Sequence, residues 1–349
     1  MTTLNEARAE PTLKDIATAA GLSVAAVSKV LNNREGVSQA SRDRVMKIMA
    51  DLGYRGRGGR LSSEPLREAT VLTLGRYVMN DSFYGEILSG IVDAGKVDGF
   101  TIDVKIVSDG DGSRPLQQIF PAGLPKAIAL MGIDGAALID EISVSGIPTV
   151  LVNGMDRSMR LPSVSPDYHY GGAMATRHLL ELGHRNLLHI THPYRETIRR
   201  RIDGFRYALE DAGIAFDADR HLLDLGSPGM LTIEARDMIA EHLGKMTTPP
   251  TGIVAVNDIV AIAAIQAVQA MGLSVPEDVS VIGFDDLPVG AHASPPLTTM
   301  RVDRREVGRI AVRLLQSMNE AIGVQRITLG AILVDRASTC RVMHSRNVK

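Results

Sequence analysis

Cysteine and tryptophan are almost missing from this chain: its 349 residues include one cysteine, Cys340, and no tryptophan. A single cysteine excludes a disulfide scaffold and a zinc module built from several cysteines, and it fits a reducing compartment. No window approaches 18 uninterrupted apolar residues, and the polar segment 1–11 lacks the apolar stretch of a signal peptide. The sequence therefore predicts a cytoplasmic protein with no membrane partner.

A large net charge is also missing, because 38 Lys and Arg face 40 Asp and Glu, but the charge is unevenly distributed. Residues 1–67 hold 11 basic and 7 acidic side chains, a net charge of +4, which leaves −6 for the remainder. A basic head on an acidic body is typical of a polyanion-binding module joined to another domain, although a solvated basic face gives the same count. With 45% apolar residues, this length predicts two or three folded domains.

Residues 12–54 show the pattern of three short helices. Thr12 and Ser23 stand where helix caps are expected, a tight turn is predicted at Gly21, and a third helix is predicted from Ser38 to Gly53. Two short helices joined by a glycine turn are a helix-turn-helix pattern. The apolar positions at helical spacing are Leu13, Ile16, Ala17, Val24, Val27, Val30 and Leu31, and in the third helix Val45, Ile48, Met49 and Leu52 are predicted to point inward.

In a helix-turn-helix, the exposed residues near the start of the second helix face base edges in the major groove. Here Val24 and Ala25 offer apolar contacts, for example with a thymine methyl group, and Lys29 can donate to guanine O6 and N7. Short polar or basic groups near helix starts suit phosphate contacts, and the serines among them also suit simple helix caps. These groups are Ser23, Ser28, Asn32, Ser38, Ser41 and Arg42.

Residues 56–68 are rich in Gly, Arg and Ser, which indicates a linker, and strand-like and helical segments alternate after Thr70. That alternation predicts parallel sheets with ligands at the carboxyl ends of the strands. About 280 residues are too many for one such sheet, so two lobes with a cleft between them are expected. The predicted strands include 71–74, 101–107, 136–139, 149–152, 187–190, 252–256 and 279–283, and the predicted helices include 85–94, 172–182, 202–212, 231–243 and 258–271.

Runs of residues at fixed spacing carry a more specific signal. Residues 12–32 read Thr-Leu-Lys-Asp-Ile-Ala-x-x-Ala-Gly-Leu-Ser-x-x-x-Val-Ser-Lys-Val-Leu-Asn, and Val37-Ser38, Arg42-x-Arg-Val and Leu52-Gly-Tyr54 follow. Further runs are 179–184 (Leu-x-Glu-Leu-Gly-His), Asn257-Asp258, 272–286 (ending Ile-Gly-Phe-Asp-Asp) and 296–299 (Pro-Leu-Thr-Thr). In these residues the chain closely resembles the lactose-repressor (LacI/GalR) family of bacterial transcription regulators.

The resemblance implies a small all-α helix-turn-helix head and an α/β, periplasmic-binding-protein-like regulatory domain of two Rossmann-type lobes. It implies a repressor that binds pseudo-palindromic operator DNA as a homodimer, with allosteric control by a small-molecule effector in the cleft. It also adds Thr12 and Tyr54 to the expected DNA contacts. The implied boundaries are a DNA-binding domain at 12–54, a hinge at 55–68 and a regulatory domain at 69–340, with one lobe at 69–165 plus 297–330 and the other at 166–296 plus 331–340.

The hinge departs from the family pattern, which usually reads Pro-Asn-x-x-Ala-Arg-x-Leu and forms a helix whose leucine enters the minor groove. This chain has Arg55-Gly-Arg-Gly-Gly-Arg-Leu61, in which Leu61 lies two residues earlier than the usual leucine. Three glycines oppose a hinge helix by about 3 kcal/mol per subunit relative to alanine. We therefore expect a weak or absent hinge helix, with Arg57 and Arg60 available to the minor groove; an inert linker is the alternative.

Polar residues at predicted strand ends indicate a ligand-binding cleft. Asp285 and Asn257 each follow an apolar run and offer hydrogen-bonding groups, although Asp285 could simply cap a loop. The resemblance implies that Arg201 contacts the effector, while a solvated helix start is the plain alternative for residues 199–201. It further implies effector contacts at Asn153 and at Arg195 and Thr197, which match purine-contacting positions of the purine-repressor branch of the family. Phe83 and Tyr84 match the positions where that branch stacks on its ligand, although Phe83 could equally be a core residue.

Two departures leave the ligand open. Leu225 and Gly226 stand where relatives carry an aromatic residue, and the segment 138–146 is short, without the helix that the family places between two strands. Sugars, sugar acids and nucleobases all fit, and the pair Arg195 and Arg201 favours an anionic or polyhydroxylated ligand. No cofactor is expected.

Other classes of protein fit the sequence less well. No Cys or acid obviously completes a metal site with His184, His189 and His192, and no phosphate loop, nucleophile elbow or dinucleotide fingerprint indicates an enzyme. A two-lobe solute-binding protein of sugar uptake would need a signal peptide and no helix-turn-helix, and an architectural DNA-bending protein would not need the α/β body. Residues 336–349 lack a leucine heptad, which favours a dimer over a tetramer.

Overall fold

The computed structural model describes residues 12–31, 36–52, 66–79, 82–108, 114–226, 232–319 and 323–342. The chain divides into two compact units, Met1–Pro65 with Asp140–Ile147, and Leu66–Ile139 with Pro148–Lys349. The first unit contains three N-terminal helices, called the head below. The second contains two β-sheets.

The head consists of α1 (Leu13–Ala20), α2 (Val24–Leu31) and α3 (Gln39–Leu52). The first two helices start directly after their predicted caps, Thr12 and Ser23, and α3 starts one residue after the predicted Ser38. Thr12 and Asp15 cap α1 reciprocally, since the Thr12 backbone N–H donates to the Asp15 carboxylate at 2.7 Å and the Thr12 hydroxyl accepts from the Asp15 N–H at 3.3 Å.

Serine side chains cap the other two helices. Ser23 accepts a hydrogen bond from the Ala26 backbone N–H at 3.1 Å, and Ser38 accepts from the Ser41 N–H at 3.3 Å. Between α1 and α2, Gly21 has a φ of 64°, the left-handed conformation that the predicted turn requires.

One apolar cluster holds the three helices together, with Ile16 from α1, Val27 from α2 and Val45 from α3 at its centre, each with no exposed surface. Met49 is the last residue of α3 that is buried in this cluster. The inward prediction for Leu52 is wrong, because α3 continues beyond the cluster and the Leu52 side chain is 43% exposed at its end.

Strands and helices alternate after residue 66. The strands are β1 (Glu68–Leu74), β2 (Thr101–Val107), β3 (Ile128–Met131), β4 (Thr149–Val152), β5 (Ser163–Pro166), β6 (Leu187–Thr191), β7 (Leu222–Asp224), β8 (Gly252–Ala255), β9 (Ser280–Asp285), β10 (Thr298–Arg301), β11 (Arg326–Leu329) and β12 (Ile332–Val334). The helices are α4 (Gly75–Met79), α5 (Ser82–Val97), α6 (Leu116–Ile119), α7 (Ala136–Ser145), α8 (Tyr168–Glu181), α9 (Glu196–Asp211), α10 (Ala218–His221), α11 (Thr232–Lys245), α12 (Asp258–Ala270), α13 (Pro288–Ala291) and α14 (Arg304–Gln316), followed by a 3₁₀ turn (Ser317–Asn319).

The strands form two six-stranded sheets, one in each lobe. The first-lobe sheet has the order β11-β5-β4-β3-β1-β2 and is parallel throughout, with Thr70 opposite Ile128. The second-lobe sheet has the order β12-β10-β9-β8-β6-β7, in which only the pairing of β10 with β12 is antiparallel. Central strands such as β3, β4, β8 and β9 are buried along their whole length, as expected for sheets covered on both faces.

The position where the chain returns to the first lobe differs from the expectation. The resemblance placed residues 297–330 in that lobe, but Thr298–Arg301 pairs with β9 in the second-lobe sheet. The chain returns after Arg301 through α14 and then enters β11 of the first-lobe sheet. The run Thr298–Met300 is fully buried, and its strand lies inside the second sheet between β9 and β12.

One predicted strand is wrong. Residues 136–139 start a helix, Ala136–Ser145, and the strand before it is Ile128–Met131. A short apolar run fits a buried strand and a buried helix equally well, and here the second run belongs to the helix. The helix between β3 and β4 that the sequence seemed to lack is therefore present.

Two glycines allow α8 and α9 to touch through their backbones. A Cβ atom on Gly172 would lie 2.6 Å from the Arg201 carbonyl oxygen, and one on Gly204 would collide with the His169 carbonyl. The backbone of Arg201 therefore lies directly against α8. No helix in the described ranges is both long and apolar enough to cross a membrane.

Candidate functional site

The surface of α2 presents the three side chains that the sequence predicts to read DNA bases. Val24, Ala25 and Lys29 are all exposed, and Val24 is 45% accessible, while Val27 and Val30 on the opposite side are buried. Val24 is not part of the buried cluster of the head, and its exposed side chain is accessible to a thymine methyl group.

The predicted phosphate contacts surround α2 and the start of α3. Ser23 and Ser38 are exposed and cap helices, as the plain alternative expected, and Ser28, Ser41 and Arg42 are half-buried. Helix capping and phosphate binding use the same helix end, so the caps leave the DNA prediction open. Thr12 is exposed, and Asn32, Tyr54, Arg57, Arg60 and Leu61 lie outside the described residues, as does the whole hinge question.

The second candidate site lies between the lobes, where Arg195 at the start of α9 reaches into the first lobe. Its Nη1 donates to the Tyr84 hydroxyl at 2.5 Å and to the Tyr77 hydroxyl at 3.4 Å, and its Nη2 donates to the Asn153 carbonyl at 2.5 Å. Its Nε faces the Asp134 carboxylate at 3.3 Å, with 7% and 13% of the two side chains exposed. Arg195 therefore joins the two lobes through a buried ion pair.

Asn153, at the end of β4, continues this network into the second lobe. Its amide nitrogen donates to the Tyr84 hydroxyl at 2.8 Å, and its carbonyl oxygen accepts from the Tyr168 hydroxyl at 2.5 Å. Burial raises the pKa of the Tyr84 phenol well above its usual value, so Tyr84 keeps its proton. Since Asn153 and Arg195 both donate to the Tyr84 oxygen, the Tyr84 proton is left to donate to another group.

Arg201 lies almost two turns further along α9 and remains within the second lobe. Its guanidinium carbon is 4.1 Å from the Tyr168 ring centre and 4.5 Å from that of Phe284, and Nη2 is 3.5 Å from an Asp285 oxygen. Its Nε is buried and has no hydrogen-bond partner among the described residues. A buried N–H donor without a partner is costly, and a ligand atom that accepts from it removes that cost.

Asp285 ends β9 in a strained turn between the two lobes. Its φ of 114° and the φ of 54° at Asp286 are left-handed values that few non-glycine residues adopt. The Arg304 guanidinium donates to the Asp285 carbonyl and, through Nε, to Glu86 on α5 at 2.9 Å. The turn is thereby connected to the first lobe.

The remaining predicted contacts, Asn257, Thr197 and Phe83, differ in their surroundings. Asn257 caps α12, accepting from the Val260 N–H at 2.9 Å, and its amide nitrogen has no partner in the described part of the chain. Thr197 is buried in the first turn of α9. Phe83 is also buried, and its ring centre lies 5.2 Å from that of Tyr84, with the two rings nearly perpendicular. As effector contacts, all eight residues predicted for the cleft stay predictions.

The three histidines considered for a metal do not come together around one. His184 bonds to the Thr251 hydroxyl and the Cys340 carbonyl, each at 3.0 Å, and His189 donates to the Val254 carbonyl at 2.8 Å. Burial lowers the pKa of His189 to about 4, and it also lowers that of His192, so both rings are neutral at pH 7. Within the described ranges, no group of three or more His, Cys, Asp or Glu could hold a metal ion.

Sequence reasoning missed several partners in the cleft. Tyr77 stacks on Tyr84 with ring centres 4.0 Å apart, and Asp134, Tyr168 and Arg304 complete the buried contacts. Tyr77 comes shortly after β1, and Asp134 comes shortly after β3. This position after a strand was the only signal in the sequence, and for Asp134 it was missed because β3 was predicted at the wrong residues.

A helix-turn-helix head, together with two α/β lobes joined by buried polar contacts, is the architecture of a ligand-binding transcription regulator. A model of bacterial regulatory proteins of the lacI family matches residues 12–56, and a model of the periplasmic binding protein-like domain matches residues 176–339. The HTH-type transcriptional regulator DegA of Bacillus subtilis is 32% identical over an alignment of 344 residues that covers 94% of this chain and 98% of DegA. The chain belongs to the lacI family of DNA-binding transcriptional regulators, whose second domain binds an effector.

Other relatives span the chain in the same way. The transcriptional repressor CytR of Escherichia coli is 30% identical across 94% of this chain and 96% of its own length. The structure of the transcriptional regulator CelR with cellobiose has a TM-score of 0.70 and 27% identity, covering 94% of this chain and all of that one. A lac repressor dimer bound to operator and the anti-inducer ONPF shares the fold, with a TM-score of 0.67, 23% identity, and coverage of 95% and 100%.

Proposed function

We propose that this protein is a cytoplasmic, homodimeric repressor whose affinity for operator DNA is set by a small molecule bound between the lobes. The observation that carries the proposal is the buried pair of Arg201 and Asp285, in which the Nε–H of Arg201 has no hydrogen-bond partner in the described part of the chain. The exposed side chains Val24, Ala25 and Lys29 support the DNA-binding half of the proposal. Closure of the lobes around the ligand would alter the spacing of the two heads in a dimer, with a coupling of about 1–3 kcal/mol.

The chemistry of the cleft favours a neutral, hydroxyl-bearing effector such as a sugar or a nucleoside. Arg195 already faces Asp134, and Arg201 already faces Asp285, so an anionic ligand would meet no unpaired cation at either arginine. A hydroxyl group can accept from Arg201 Nε or the Tyr84 hydroxyl and can donate to the Asp285 carboxylate. The arginine pair therefore supports the polyhydroxylated alternative over the anionic one, and the solved relative bound to cellobiose agrees with this choice.

A thermal-shift screen tests the effector-binding half. Neutral sugars, nucleosides, nucleobases and sugar acids are added to the full-length protein at equal concentrations. A ligand present at about 100 times its Kd adds about 2.7 kcal/mol of stability. We expect neutral hydroxylated compounds to raise the melting temperature, and shifts confined to sugar acids would contradict the proposed ligand class.

Lys29→Ala tests the DNA-binding half. An operator is first selected from random DNA with the wild-type protein, and its affinity is measured at several salt concentrations. Loss of a lysine contact to guanine is expected to weaken operator binding by about 1–3 kcal/mol and to relax the base preference at one position.

Lys126→Ala is the matched control, because Lys126 carries the same charge on the first lobe, where it is 72% exposed beside Glu68. We expect this variant to bind operator like the wild type. An equal loss of operator affinity in Lys29→Ala and Lys126→Ala would show that Lys29 acts only through the net charge of the protein and not through a base contact.

A further inference from the structure

The turn that ends β9 holds two non-glycine residues in succession in the left-handed region, Asp285 at 114° and Asp286 at 54°. Such conformations are unfavourable for residues with a Cβ atom and persist only where the surroundings impose them. The turn presents the Asp285 carboxylate to Arg201, so whatever imposes its shape also determines the geometry of the proposed effector site.

A single buried carboxylate fixes the backbone that follows Asp285. Asp258 Oδ2 accepts from the Leu287 N–H at 2.6 Å, and its Oδ1 accepts from the Thr299 hydroxyl at 2.5 Å. The Thr299 oxygen in turn accepts from the Asp286 N–H at 3.4 Å. Both N–H groups of the turn after Asp285 therefore end at Asp258, one directly and one through Thr299.

The surroundings of Asp258 hold its carboxylate in place. Its side chain has no exposed surface, it is the first residue of α12, and a Cβ atom on Gly283 of β9 would collide with its Oδ1. The helix N-terminus favours the charged form of the carboxylate. The neighbouring residue Asn257 caps the same helix, so α12 brings a predicted effector contact and this carboxylate to one place.

We propose that Asp258 is a positioning residue of the effector site, whose carboxylate holds the Asp285–Leu287 turn in the shape that presents Asp285. This inference builds on the proposed function, in which Asp285 contacts the effector. Asp258 acts through the turn and does not itself touch the ligand.

The charge on Asp258 makes this support depend on pH. Burial raises the pKa of Asp258 to about 6, against the hydrogen bonds from Thr299 and Leu287, which favour the carboxylate. The charged groups nearby are Asp286, which raises this pKa, and Arg336, which lowers it; Asp286 is itself paired with Arg336 and with Arg301 of β10, each at 2.6 Å. Below about pH 6 the protonated carboxyl group loses one acceptor, so the turn should open more often.

The contribution of Asp258 to the free energy of unfolding of the whole protein should rise as the pH falls, whereas protection of the turn should fall. Because the folded-state pKa of Asp258 lies above its unfolded value of 3.8, protonation favours the folded state between these two values. The wild type should therefore gain stability relative to Asp258→Asn as the pH falls from about 6 towards 4, while the turn loses protection. A residue that merely stabilises the fold would not separate these two readouts.

Amide hydrogen exchange of the full-length protein tests the proposal without any ligand. After correction for intrinsic rates, Asp258→Asn should reduce protection of the Leu287 amide, the Asp286 amide or both at least tenfold at pH 7, because the single oxygen of asparagine cannot accept from both Leu287 and Thr299. Protection of the Val254 and Ile282 amides in the same sheet should change less than twofold. In the wild type, protection of the turn amides should decrease as the pH is lowered below about 6. This pH-dependent decrease should be absent in Asp258→Asn.

Thr299 supplies a matched pair of variants. Thr299→Val removes the hydroxyl group and should lower protection of Asp286 alone, whereas Thr299→Ser keeps the hydroxyl group and should retain it. Unchanged protection of both Leu287 and Asp286 in Asp258→Asn, or an equal loss at Val254, would overturn the proposal. A thermal-shift screen in which no small molecule binds would instead count against the proposed function and would leave the exchange result standing.

Discussion

Two arginines at the start of α9 face the same cleft but are used in different ways. Arg195 reaches across to the first lobe, where its guanidinium has four partners. Arg201 stays in the second lobe beside Asp285, and its buried Nε–H has no partner among the residues that the structure describes. A guanidinium whose donors are used holds structure together, whereas one with a free donor is prepared for a ligand. We infer that Arg195 governs lobe closure and that Arg201 governs effector affinity.

Arg195→Leu is expected to have the largest effect in this comparison. It leaves the Asp134 carboxylate almost buried without its cation, which should reduce the free energy of unfolding by about 3–5 kcal/mol. Chemical denaturation checks this value, with Arg199→Leu as the control, because Arg199 lies on the same helix with 46% of its side chain exposed. Adding Asp134→Asn should restore part of the loss, and a loss below about 1 kcal/mol in Arg195→Leu would contradict the interlobe role.

Arg201→Met should separate effector binding from lobe closure. We expect the effector Kd, measured by calorimetry with a ligand from the thermal-shift screen, to rise about 100-fold, which is about 2.7 kcal/mol. Methionine fills much of the space between Tyr168 and Phe284 but supplies no donor. Arg200→Met on the adjacent, half-buried position should bind the effector normally, and a similar loss in both variants would refute the special role of Arg201.

Arg157→Ala should have the smallest effect. Arg157 also joins the lobes, through Glu196 at 2.5 Å, but 73% of its side chain is exposed. Solvent screens such a pair, so we expect no measurable change in unfolding free energy or effector affinity at physiological salt. A loss as large as that of Arg195→Leu would show that burial is not what distinguishes the interlobe contacts.

The head could be predicted from the sequence almost to the residue because its signals are local. Thr12, Ser23 and Ser38 cap helices within three or four residues of themselves, and the helical spacing of Ile16, Val27 and Val45 defines one core. Leu52 is the exception, since spacing alone does not show where the partner helices end.

The cleft was only partly predictable because its contacts depend on topology. Asp285 and Asn257 could be placed from strand ends, but the partners of Arg195 are separated from it by 42 to 118 residues and no local pattern connects them. The misplacement of β3 hid Asp134 for the same reason. Resemblance to a family supplied Arg195 and Arg201 as a pair, but only the folded chain distinguishes their roles.

The most direct test of coupling between the two sites is whether operator DNA changes the affinity of the protein for its effector. The Kd of the effector is determined on the free protein and on its complex with selected operator DNA, at the same salt concentration. Coupling of about 1–3 kcal/mol predicts that the two Kd values differ by roughly 5- to 150-fold. Identical values would show that ligand binding between the lobes has no influence on the head, and would contradict the account.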